Sequence, residues 1–85
     1  RDMTGHRAVK REMALICVRT RPETKEEIHG IIKQFKGRIM DESPANYIFE
    51  VTGDENTIDE ILALLEPFGI KKLARSGVLA LYRES

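Results

Sequence analysis

Between Met13 and Val18 the chain runs six apolar residues, MALICV, without a polar one. A strand with one face in water would alternate, so an uninterrupted run of this length, bounded by Arg11-Glu12 and Arg19, describes a strand whose two faces both leave solvent. Such a strand is central in its sheet. It needs a neighbour at each edge and a layer over each face, and the remainder of the chain has to supply them.

Residues 1–10 carry Gly5, four basic or His side chains and little apolar content, and are expected to form a flexible lead-in or linker remnant, with the folded domain spanning 11–85. The central strand, about Glu12 to Arg19, ends at Thr20-Arg21-Pro22-Glu23. That quartet has the form of a capping box, and Thr24 to Glu27 repeats it one turn later, so a helix starts here in one of two registers. Its apolar stripe is Ile28, Ile31, Ile32 and Phe35, its acids lead and its lysines trail, and Gly37 is expected to stop it. A short strand over Arg38–Glu42 turns through Ser43-Pro44-Ala45-Asn46 into a second, Tyr47–Thr52, in which Tyr47, Phe49 and Val51 mark one inward face. Gly53-Asp54 opens a second helix with Ile58, Ile61, Leu62 and Leu65 on one stripe, ended by Pro67 and Gly69. Ile70–Arg75 reads as a strand, Ser76-Gly77 as a tight turn, and Val78–Tyr82 as a further short strand or extended tail.

Strand, helix, strand, strand, helix, strand, with right-handed crossovers, is the order of the split βαβ or ferredoxin-like sandwich, an α+β fold also seen in ACT-like domains. It predicts a four-stranded antiparallel sheet with both helices on one face, plus a short C-terminal strand. The helices cover one face of the central strand. The other face, bearing either Ala14, Ile16 and Val18 or Leu15 and Cys17, is left as an apolar patch, and patches of that kind mark partner surfaces. The expectation carried forward is Ala14, Ile16 and Val18 as the candidate interface.

Composition narrows the functional classes. The 85 residues carry 14 basic and 14 acidic side chains, with ten Lys/Arg against five Asp/Glu in residues 1–40 and four against nine in 41–85. Asymmetry of this size can mark a nucleic-acid contact, but most of these charges fall on helix faces and ends where they complement the dipole, which is the stronger reading, so no nucleic-acid partner is expected. No apolar run approaches the roughly 20 residues that span a bilayer, and the start has no apolar centre of a signal peptide, which predicts a cytoplasmic protein. Cys17 is the only cysteine, so there is no internal disulfide and no cysteine cluster for a metal.

Catalytic signals are absent from the pattern. His6 lies in the lead-in and His29 is offset from the helix stripe, where a solvated surface imidazole is the simplest reading. Asp54/Glu55 and Asp59/Glu60 suit a helix cap and a solvated helix face rather than a metal cage. The fold hosts an acylphosphate hydrolase, but that chemistry needs a phosphate-cradling loop after the first strand, and Thr20–Thr24 has a proline and no glycine. It also hosts RNA-recognition domains; Tyr47 and Phe49 alternate with Val51 as core residues, and the basic-Gly-aromatic pattern is missing. Lys71, Lys72 and Arg75 form the one compact basic cluster outside the lead-in, readable equally as a nucleic-acid contact or as side chains satisfying carbonyls at the end of the second helix.

The segments REMALICVR, RPETKEEI, FEVTGDENTIDEILALLEPFGI and KKLARSG together resemble the C-terminal half of the small, regulatory subunit of acetolactate (acetohydroxyacid) synthase, over about residues 11–83. The most specific pieces are Val51-Thr52-Gly53-Asp54, Pro67-Phe68-Gly69-Ile70 and Ala74-Arg75-Ser76-Gly77. The resemblance implies a non-catalytic regulatory domain of branched-chain amino acid synthesis. Its partner would be the large catalytic subunit, which carries the thiamine diphosphate, magnesium and FAD; no cofactor is expected on this chain. Family members place the feedback effector, usually valine, in an N-terminal ACT domain with a glycine-containing loop after its first strand. No glycine occurs between Gly5 and Gly30 here, so no valine-binding residue is assigned. The chain begins at Arg1, consistent with a piece of a two-domain subunit whose lead-in is the former connection. A homodimer is expected through the uncovered sheet face. The alternative is a free-standing ACT-like sensor of amino acids, with its site built between paired domains.

Overall fold

The computed structural model describes the backbone of residues 8–77 and 79–82 and the side chains of residues 10–77. Strand β1 spans Ala8–Arg19, helix α1 Lys25–Gln34, β2 Arg38–Glu42, β3 Asn46–Gly53, helix α2 Glu55–Leu65, β4 Ile70–Arg75 and β5 Leu79–Tyr82, with a 3-10 turn over Glu66–Phe68. The sheet order is β2-β3-β1-β4, every pairing is antiparallel, and β5 pairs with β1. This is the expected ferredoxin-like βαββαβ sandwich, with β1 in its central place. β1 starts at Ala8, so the last three residues of the expected lead-in are strand, paired with β5; residues 1–7 lie outside the described ones.

Local chemistry explains the boundaries. α1 uses the later of the two registers: Thr24 is the N-cap, and its hydroxyl accepts from the Arg21 N–H at 3.2 Å instead of from the helix. The earlier register fails because Thr20 is otherwise engaged. It is buried, its N–H donates to the Ala45 carbonyl at 2.7 Å and its hydroxyl to that of Pro44 at 3.4 Å, which ties the end of β1 to the β2–β3 turn. At the other end Lys36, not Gly37, takes the left-handed conformation (φ 59°). The Gly37 N–H reaches the Ile32 carbonyl at 2.8 Å and the Lys36 N–H that of Lys33 at 3.0 Å, a Schellman closure. Gly37 is required for space: a Cβ there would stand 2.9 Å from Ile32 Cγ2 and 3.1 Å from the Phe49 ring. α2 has a true side-chain cap, Asp54 accepting from the Thr57 N–H at 2.7 Å, and this bond holds the Asp54 carboxyl below the usual carboxylate range.

Ser76-Gly77 does not make the expected hairpin turn. β5 pairs with β1, in register Arg11↔Leu79 to Ala8↔Tyr82, on the same edge of β1 that β4 occupies further along. The segment carries the chain from β4 toward β5 along the same strand, β1. The Ser76 N–H donates to the Met13 carbonyl at 2.9 Å, the Met13 N–H donates to Ser76 Oγ at 2.9 Å, and Gly77 takes φ 80°.

The core lies between the sheet and the helices. Ala14, Ile16 and Val18 from β1 and Tyr47, Phe49 and Val51 from β3 meet Ile28 and Ile32 of α1 and Ile58, Ile61 and Leu65 of α2. Both helix stripes are therefore spent on one face of the sheet, leaving the other face bare among the described residues.

Candidate interaction surface

Register decides which β1 side chains look away from the helices. Residues paired directly across an antiparallel ladder share a face, and successive residues alternate. Ile16 pairs with Phe49 and Ala14 with Val51, so the even positions of β1 join the core; Cys17 pairs with Ile48 and Lys72, and Leu15 with Glu50 and Ala74, on the opposite face. Burial agrees: Ala14, Ile16 and Val18 are each 0% exposed, whereas Met13 is 47% and Leu15 43% exposed. The candidate interface Ala14, Ile16, Val18 is thus corrected. Those three residues are core, and the uncovered surface is built on the other set, Leu15 and Cys17, with Met13 beside them. The physical reason is parity, since β3 has only one inward-facing apolar set and its pairing with β1 selects the even positions.

This open face is apolar around Leu15, Cys17 and Ile48, with Glu50 of β3 beside Leu15 and charged groups at both edges. Leu15, Cys17, Ile48, Lys72 and Ala74 line a shallow depression of about 490 Å³. Cys17 is half-buried in its wall. Asp41 on β2, in register with Ile48, gives the β2 edge an acid, and Lys72 gives the β4 edge a base. Met40 sits at the β2 bulge between Ile39 and Asp41 and is 50% exposed. Such a surface has the composition of a contact: an apolar centre with a polar rim.

The helix side holds the one built ionic cluster among the described residues, and no expectation anticipated it. Glu12, 3% exposed, receives two bonds from Arg75, Nε to Oε1 at 2.6 Å and Nη2 to Oε2 at 2.8 Å, while Arg75 Nη1 reaches Asp59 Oδ1 on α2 at 3.0 Å. The bidentate bond to Arg75 holds the Glu12 carboxyl below its ordinary range against the opposing effect of desolvation, and the two acids push the Arg75 guanidinium still higher. Arg75 therefore locks α2 to the sheet; it does not cap the second helix. Asp59 is part of this lock and not merely a solvated acid. The sequence shows only that Glu12 shares its face with Ala14 and Ile16; that this face is the inward one, and that Arg75 meets it there, follows from the register of β1 against β3 and β4.

The remaining sequence candidates fall where chemistry is weak. His29 is exposed, with its ring centroid 6.4 Å from that of Tyr47, beside Lys25 whose Nζ lies 5.7 Å from the Tyr47 centroid and 3.5 Å from Glu42. His6 lies outside the described residues. Tyr47 and Phe49 both point into the core, as their alternation predicts, so neither offers a base-stacking platform. Among the described residues no group of three or more His, Cys, Asp and Glu side chains is arranged for a metal ion, and no helix is long and apolar enough to cross a membrane.

Comparison with known proteins agrees with this picture. The protein family described as the small subunit of acetolactate synthase matches residues 11–84. The chain belongs to that family. The acetolactate synthase small subunit of Bacillus subtilis is 43% identical over 82 residues, covering 96% of this chain and 48% of the relative. That of Aquifex aeolicus is 45% identical over 84 residues, covering 98% and 44%. The crystal structure of the small subunit from Thermotoga maritima superposes with a TM-score of 0.89 at 36% identity, over 99% of this chain and 52% of that one. The chain thus spans about half the length of the small subunits it matches, and the resemblance read from REMALICVR through KKLARSG is upheld.

Proposed function

We propose that the chain is a non-catalytic regulatory domain that acts on the large, catalytic subunit of acetolactate synthase, raising its activity and supporting its feedback control in branched-chain amino acid synthesis. The observation that carries this reading is the family match across residues 11–84, extended by relatives at 43% and 45% identity that bear the small-subunit name. It is favoured over a free-standing amino acid sensor, since the relatives named are subunits of an enzyme. The thiamine diphosphate, magnesium and FAD of the reaction belong to the large subunit in this reading, and the chain works in the cytoplasm beside it.

The chain also acts as a homodimer. The support is the open face, where exposed Leu15 and Met13 surround the half-buried Cys17 on a sheet with no second layer among the described residues. A small domain leaving one whole sheet face to water loses the burial that this face would contribute.

The test is acetolactate formation from pyruvate by the cognate large subunit, with and without the purified chain and with and without valine. Stimulation that valine does not reverse is the expected result, with feedback assigned to the half of the relatives that this chain does not span. No stimulation by a folded chain at saturating concentration would remove the proposed role in activation.

A further inference from the structure

Tyr47 is the one core residue of β3 with a hydroxyl, and although the side chain is only 3% exposed, that hydroxyl has no hydrogen-bond partner among the described residues. It is not sealed in, because among the buried side-chain oxygens and nitrogens described only Asn46 Oδ1 lacks a partner. The Tyr47 oxygen therefore keeps an opening to solvent. Tyr47 lines a depression of about 380 Å³ between α1 and the end of β2, together with Pro22, Lys25, Glu26, His29 and Glu42. Glu42 is in register with Tyr47, which sets both on the helix side of the sheet. A contact through the opposite, open face leaves this depression free.

Its charges are unbalanced. Lys25 Nζ stands 3.5 Å from Glu42 Oε2 and 5.7 Å from the Tyr47 ring centroid, so the one lysine present is already engaged by one acid. Glu26 has no ion-pair partner among the described residues, and the exposed Glu23 and Glu27 add to the negative potential at this end of α1. A cation is the group such a depression draws in. The acceptors facing it are two carboxylates and a phenolic oxygen, spread around flat apolar surface from Pro22 and the Tyr47 ring. An ammonium is a compact point charge, whereas a guanidinium is a planar fork with five donors that can serve several acceptors at once and lie against such surface. The volume admits one long side chain and excludes a helix or a strand.

We propose that this depression is a socket for an arginine side chain of the large catalytic subunit, its guanidinium held by Glu26 and Glu42 and hydrogen-bonded to Tyr47 Oη, its stem against Pro22. The proposal rests on the regulatory reading above and gives it a contact point. Arginine and tyrosine are residues in which binding energy concentrates at protein interfaces, and here the Tyr47 hydroxyl gains the partner its own chain does not provide. Lys25 swings away from Glu42 as the arginine enters, a small loss because the pair is exposed.

The concentration of chain that gives half-maximal stimulation of the cognate large subunit tests the socket. Glu26→Gln and Glu42→Gln should each raise it roughly fivefold or more, and Tyr47→Phe roughly threefold or more, with the activity at saturation unchanged. Because the Tyr47 hydroxyl has no partner within the described chain, Tyr47→Phe should keep the wild-type urea midpoint, which separates a lost contact from a damaged core. Lys25→Gln should act in the opposite direction, lowering the half-maximal concentration about twofold or more, since the internal cation no longer competes. A folded wild-type chain that gives no stimulation would overturn the regulatory reading and the socket with it. A stimulating wild type matched by Glu26→Gln, Glu42→Gln and Tyr47→Phe would keep that reading and overturn the socket. A higher half-maximal concentration for Lys25→Gln would overturn the cation, as a site for a carboxylate requires that lysine.

Discussion

The two faces of β1 are made of nearly the same residues and do different things. On the helix side Ala14, Ile16 and Val18 are fully enclosed beneath α1 and α2; on the other side Met13, Leu15 and Cys17 stand on a sheet that the described chain leaves uncovered. Composition does not distinguish the two sets, since both are apolar. What separates them is pairing: the even positions oppose the aromatic and β-branched set of β3, and the odd positions oppose Glu50, Ile48 and Thr52. The difference teaches that a strand apolar on both faces states a need for two layers and not which layer comes from its own chain.

The sharpest way to break this comparison is to truncate one side at a time. Phe49→Ala, in the fully buried layer, should cost about 3–5 kcal/mol in urea unfolding, enough to threaten folding of a domain this small, through lost transfer energy and the cavity left behind. Leu15→Ala on the open face should cost well under about 1.5 kcal/mol in the monomer, because that side chain is already 43% exposed. Equal losses at the two sites would erase the distinction between the faces.

Gly37→Ala tests how closely the helix layer is fitted. The added methyl meets Ile32 Cγ2 at 2.9 Å and the Phe49 ring at 3.1 Å, and overpacking of this kind costs about 1–3 kcal/mol. A stability matching the wild type would show that α1 rides loosely on β3. Asp54→Ala is smaller, about 1 kcal/mol, through loss of the bond to the Thr57 N–H at the start of α2.

The ionic lock gives the comparison a pH dependence. Glu12 titrates below its ordinary range in the folded chain because Arg75 binds its carboxylate, so the stability it contributes is present above the ordinary carboxylate range and is lost as pH falls through the lowered folded value. Asp54 adds to the same acid limb through its cap bond. Urea midpoints of wild type and Glu12→Gln should differ at neutral pH and converge in acid. A gap that stays constant from pH 7 to about pH 2 would mean that the Glu12 charge has no role in holding α2 to the sheet.

Much of the architecture was legible in the residues because independent signals agreed: the six-residue apolar run, the two i, i+3, i+4, i+7 stripes and the turn at Ser43–Asn46 all require the same topology. Parity on β1 was not legible. A run apolar at every position has no preferred face until its register against β3 is known, and a one-residue slip exchanges the two sets completely. The same gap concealed the Glu12–Arg75 lock, whose members lie 63 residues apart and meet only when β4 is set beside β1. Two local readings failed for reasons of space and partner. Gly37 looked like the left-handed stop, but Lys36 takes that conformation and the glycine makes room for Phe49. Ser76-Gly77 looked like a hairpin turn because it contains glycine between two strands, yet the second strand continues along β1 instead of folding back on β4. The candidate surface was foreseen as a face, and its residues were found only through the register.

The division between the two faces is tested most directly by placing one charge on each of two adjacent residues, Leu15→Asp and Ile16→Asp, and measuring sedimentation equilibrium and circular dichroism on both variants. Leu15→Asp should give a folded chain that no longer associates, and Ile16→Asp an unfolded one, since a charge at the fully buried site has no partner. A Leu15→Asp chain that loses its fold, or that remains as dimeric as the wild type, would contradict the account.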